Sequence, residues 1–181
     1  MVDDSLETVL NLVSDAPVVR EVIAKAAVFA AARGHEVEDW HCFWILLSEY
    51  EKDPVTVAAI GEKSIFAFQQ MLMRLRNGEP VEGAPRVSPV LYRLIHRMYA
   101  DHYDILRSVR HIGVLHFYLA FLSRPDNMVY SVFQMLDIDP VMRIGCVVDA
   151  GKVRNPTVVA EHFMRLHGTC LAVTPPPRTI G

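Results

Sequence analysis

Cysteine is scarce: Cys42, Cys146 and Cys170 are the only three in 181 residues. An odd number at such wide spacing makes neither a disulfide framework nor a zinc ribbon, and a reducing compartment is the expectation. Long apolar runs are missing too. The most apolar stretches, residues 26–32 and 114–122, fall far short of the roughly 20 residues a bilayer demands. The opening MVDDSLE is acidic where a secretory signal would be basic, and no cleavable apolar stretch follows it. No window carries a dense lysine or arginine cluster, and 18 basic against 21 acidic residues leave a net charge of −3. Nucleic acid and anionic membrane are therefore poor main partners, and a soluble cytoplasmic protein is expected.

What is present is apolar residue in helical rhythm. Apolar types make up 51% and charged types 22%, with mean hydropathy +0.20, enough for one well-cored domain that folds without staples. Apolar positions recur at helical rather than alternating spacing, and no Asn-Gly or Asp-Gly turn separates two alternating runs, so the chain reads as all α. The first helix is expected over residues 4–13, with Leu6, Val9, Leu10 and Val13 on one stripe and Asp3 and Asp4 at the positive end of its dipole. The second is expected from Pro17 to Arg33, with Gly34 placed to cap it.

The chain then repeats itself. Val18, Val19, Val22, Ile23, Ala26 and Ala27 follow Pro17 in the rhythm in which Val90, Leu91, Leu94, Ile95, Met98 and Tyr99 follow Pro89, at a spacing of 72 residues. Beyond them, the string from Val37 through His41 to Leu47 matches the string from Ile112 through His116 to Leu122 at a spacing of 75. The three-residue change falls in a connecting loop, where insertions cost little. Two four-helix units are thus expected, repeat one at 14–78 and repeat two at 86–148, joined by a linker containing Asn77, Gly78, Pro80, Gly83 and Pro85. With the leading helix they make a domain of residues 1–148. Residues 149–181 are expected to add a helix from Asn155-Pro156-Thr157 to His167, closed by Gly168, and a proline-rich tail.

This duplicated pattern resembles the N-terminal domain of the Clp ATPases over about residues 14–148. AVFAAARGHEVEDWHCFWILL is similar to the first-repeat stretch of the ClpV type, and LMRLRNGEPVEGAPRVSPVL to its inter-repeat junction. The extra helix ahead of repeat one is a further ClpV-like feature, while Leu115 departs from the polar residue usual before the second His. The resemblance implies a non-catalytic recognition module. ClpV-type domains grip a helix of the contracted type VI secretion sheath for recycling by the AAA+ ring, and the chain contains no AAA+ module. An excised recognition domain or a free-standing relative is expected, with a helical segment of a sheath or adaptor protein as partner and no cofactor. A stand-alone adaptor or regulator of a Clp protease ATPase is the alternative within the family, and a small helical hydrolase or metal enzyme the alternative outside it.

Gly145 to Lys152 fails as a phosphate loop, having five residues between its glycines and Val153 in place of a hydroxyl. The histidines stand five or six apart, whereas two ligands on one helix face need three or four. His41 and His116 are expected to serve structurally at helix starts, Glu38 and Asp39 to complement a dipole, and Cys42 to lack a local base. Trp40, Phe43 and Trp44 read as core between the units, or else as a docking surface. The stripe of Leu6, Val9, Leu10 and Val13 either covers the core or frames a groove with the second helix, where Ala24, Ala27 and Ala31 would let a guest helix approach closely. These seven are the candidate peptide-binding residues.

Overall fold

The most apolar helix of the chain sits at its centre. In the computed structural model, which describes residues 5–75, 82–83 and 85–173, α7 (Val114–Ser123) is buried along its whole length. A helix apolar all round must be surrounded, and α7 is packed by α4 (Pro54–Ile60), α6 (Pro89–Asp104), α8 (Met128–Met135), α9 (Pro140–Ala150) and α10 (Pro156–Val173). The second hub is α3 (Asp39–Glu49), which packs on α2 (Pro17–Ala31), α5 (Ile65–Leu75), α6 and α8. The remaining helix, α1 (Leu6–Leu12), lies on α2. Among the described residues there are ten helices and no strands; two isolated bridges, Ser5 with Arg86 and Val37 with Val87, are the only extended pairings.

Local chemistry starts these helices where the sequence places them. Prolines occupy the first turn of α2, α4, α6 and α9, where the missing N–H costs nothing. Ser5, Asp53, Ser88, Asn127 and Asp139 cap α1, α4, α6, α8 and α9 by accepting from a first-turn N–H. At the end of α2, Gly34 takes φ 67° and the N–H of His35 donates back to the Ala30 carbonyl at 3.0 Å, the left-handed ending expected there.

Four aromatic rings meet in the core between the halves of the chain. Phe43 of α3 is fully buried and meets Phe68 of α5, Phe121 of α7 and Phe133 of α8 at centroid separations of 5.6, 5.7 and 5.8 Å. Trp40 is likewise buried, while Trp44 is half-buried and stacks on Phe29 at 5.1 Å. A bidentate ion pair sits deeper than usual for charges: Arg124 reaches both oxygens of Asp101 at 2.9 Å, with the side chains 7% and 10% exposed.

The C-terminal region departs from expectation. Gly168 does not close α10, which runs through it to Val173. A glycine inside a helix costs about 1 kcal/mol relative to alanine, and the turn before it is anchored: Phe163 is fully buried and the His167 ring nitrogen lies 2.7 Å from the Tyr130 hydroxyl. Asn155, the residue before α10, adopts φ 55°, and its carbonyl accepts from the Val159 N–H at 3.2 Å. The core therefore continues past residue 148, because α10 packs on both α7 and α9. Asp3, Asp4, the Asn77-Gly78-Pro80 part of the linker and the proline-rich tail lie outside the described residues.

Candidate functional site

A shallow groove of about 370 Å³ runs where α1 meets the start of α2, lined by Leu10, Ser14, Pro17, Arg20, Glu21 and Ala24. Its walls are held from several directions. The N–H of Leu6 donates to the Pro85 carbonyl at 3.3 Å, tying α1 to the segment that leads into α6. The Tyr99 hydroxyl of α6 donates to Asp15 at 2.5 Å and pins the turn between α1 and α2. On α2, Lys25 bridges Glu21 at 2.8 Å and Glu49 of α3 at 2.7 Å, which lowers the Glu21 carboxyl and raises the lysine. The floor is apolar and the rim carries one charge of each sign.

The seven candidate residues separate into three groups. Leu10 and Ala24 are half-buried and share the groove. Val9 and Val13 have no exposed surface and belong to the core, so they present nothing to a guest helix; Leu6 is half-buried against that core. Ala27, nearly buried, and Ala31, exposed, line a different depression of about 110 Å³ with His35, Val37 and Arg86. The stripe on α1 is wider than one contact: Val9 and Val13 are wholly buried, while Leu6 and Leu10 pack on the core and keep part of their surface exposed. Ser14, Pro17, Arg20 and Glu21 were not recognisable from periodicity, since a polar rim carries no apolar signal.

Both helix-opening histidines are structural. His41 Nδ1 accepts from the Glu38 N–H at 3.0 Å, and His116 Nδ1 accepts from the Gly113 N–H at 3.2 Å. With Nδ1 accepting, neutral His116 carries its proton on Nε2 and donates it to His102 Nδ1, 3.1 Å away. Burial, helped by His102, pushes the His116 imidazole down to about 3. Asp39 does more than complement its own helix. Its Oδ2 accepts from the Met128 and Val129 N–H groups at 2.8 and 3.4 Å, capping α8 from α3 across 89 and 90 residues of sequence. Burial nevertheless outweighs these bonds and pushes its carboxyl up to about 6.

Cys42 is buried, and that burial together with Asp39 pushes its thiol well above the usual range, the opposite of an activated nucleophile. Among the described residues no group of three or more His, Cys, Asp or Glu side chains is placed to hold a metal ion, and no helix is long and apolar enough to cross a membrane. Gly145 to Ala150 lie inside α9. Comparison with protein-family models, with curated proteins and with solved structures found no match.

Proposed function

We propose that the chain is a protein-recognition module of the Clp N-domain kind, closest to the ClpV type, which takes one face of a partner helix into the groove between α1 and α2. The observation that carries the reading is the joint placement of Leu10 and Ala24 in one apolar-floored groove, a leucine and a small residue side by side as helix-in-groove contacts require. A likeness between the two halves of the chain supports the family. Pro17 and Pro89 open α2 and α6, and the next helix of each half, α3 and α7, has a histidine at its third position whose Nδ1 accepts from the N–H just ahead of the helix. Two segments that solve the same capping problem with the same atom, 75 residues apart, fit the duplication expected from the sequence.

On this reading the partner is a helical segment of a sheath or adaptor protein, and the contact set is Leu10 and Ala24, rimmed by Arg20 and Glu21. The module performs no chemistry itself and acts by delivering its partner to an AAA+ ring. The test is isothermal titration of the full chain with a synthetic helix from a contractile-sheath protein. Binding lost in both Leu10→Glu and Ala24→Arg, with far-UV circular dichroism and melting unchanged, is the expected result. Binding that survives both substitutions removes the groove from the account.

A further inference from the structure

No window of the sequence is rich in basic residues, yet the fold assembles a basic end. Arg107 and Arg110 lie in the loop between α6 and α7, and Lys152 and Arg154 in the loop between α9 and α10; all four are exposed. Two contacts join these loops. The Arg154 N–H donates to Ser108 Oγ at 3.4 Å, and Gly151 approaches the first turn of α7 so closely that a Cβ would stand 2.8 Å from a methyl carbon of Leu115. Three other cations are held in ion pairs, Lys25 by Glu21 and Glu49, Arg97 by Asp126 and Arg124 by Asp101. Among the described residues none of these four loop cations lies within ion-pair distance of a carboxylate. Asp104 and Asp149 are the carboxylates of the same segments, so positive charge prevails, with exposed His111 beside it and the positive end of α10 starting at Pro156.

We propose that this end of the molecule docks a short acidic segment of a partner protein, its carboxylates taken by Arg107, Arg110, Lys152 and Arg154. Guanidinium groups match carboxylates bidentately, and cations without an existing partner give up no ion pair on binding. The ligand is short because the field is local. The chain as a whole carries −3 and charges are screened beyond about 8–10 Å, so the field of four cations reaches a few residues of ligand rather than an extended polyanion such as nucleic acid. The surface is built from loops that contribute nothing to the groove of Leu10 and Ala24, and the proposal stands or falls independently of that site.

Fluorescence anisotropy of the full chain with a fluorescein-labelled peptide of alternating Glu and Ala tests it. The expected result is binding that weakens with added salt and drops about tenfold or more in the Arg107→Glu, Arg154→Glu double variant. Lys63→Glu, at an exposed lysine outside the patch, and Leu10→Glu leave it unchanged. Arg110→Gln with Lys152→Gln removes charge without reversing it and weakens binding in the same direction. Peptide affinity unchanged in both patch variants overturns the proposal, as does tighter binding of a single-stranded oligonucleotide of the same net charge.

Discussion

Asp39 and His116 give stability opposite dependences on pH, and removing one exposes the other. The folded chain holds the Asp39 carboxyl up to about 6 against an ordinary 3.8, so it binds that proton more tightly than the unfolded chain does. The resulting stability is full below the unfolded value and is lost as pH rises through 6. His116, held down to about 3 from 6.5, acts in reverse: its contribution is present above 6.5 and is lost as pH falls toward 3. Between pH 4 and 6 each slope is about 1.4 kcal/mol per pH step, and the two cancel. Asp39→Asn keeps an acceptor for the Met128 N–H and removes the charge. Relative to the parent, its unfolding free energy should rise by about 2–3 kcal/mol from pH 4 to pH 7. His116→Asn keeps an oxygen in reach of the Gly113 N–H, and relative to the parent it should gain about 3 kcal/mol on going from pH 7 to pH 4. Urea unfolding followed by far-UV circular dichroism at pH 4, 5, 6 and 7 measures both differences. Profiles that run parallel to the parent's in both variants would refute the assignment of two opposed buried titrations.

Three further substitutions probe the packing. Arg124→Ala leaves Asp101 charged and buried without its fork, and should cost about 3–5 kcal/mol in urea unfolding; a loss under 1 kcal/mol would mean that water reaches Asp101 freely. Phe43→Ala empties the site where Phe68, Phe121 and Phe133 converge, with an expected loss of about 3–5 kcal/mol and a lower melting temperature. Gly61→Ala should destabilise by about 1–3 kcal/mol, since Gly61 has φ 64° and ψ −133°, a backbone conformation that strains any residue with a Cβ; the Arg143 guanidinium beside it can swing aside. Equal stability of Gly61→Ala and parent would show that this turn relaxes at no cost.

Capping and patterning were legible because they are local. Pro17, Pro89 and Pro140 announced helix starts, and the helical stripes of α2 and α6 could be read without knowing what covers them. His41 and His116 were assigned to helix starts, and the structure supplies the atoms that do the work. The sequence misled wherever a local signal met a tertiary partner. Gly168 reads as a stop, yet Phe163 and His167 hold α10 through it. Val9 and Leu10 belong to one apolar stripe, and only packing turns the first into core and the second toward a groove. Asp39 announces a dipole partner for α3; its second role at the start of α8 depends on a neighbour 89 residues away and leaves no mark in the sequence.

By itself the sequence determined the helical character and the helix starts, because helix periodicity and capping act over three or four residues and are written in order along the chain. Only the tertiary structure decided which apolar residues stay available and where charge accumulates. Burial depends on what lies opposite, and the electrostatic field depends on distance in space. The same chain that shows no basic cluster in any window brings Arg107, Arg110, Lys152 and Arg154 to one end, because two loops far apart in sequence meet at Ser108.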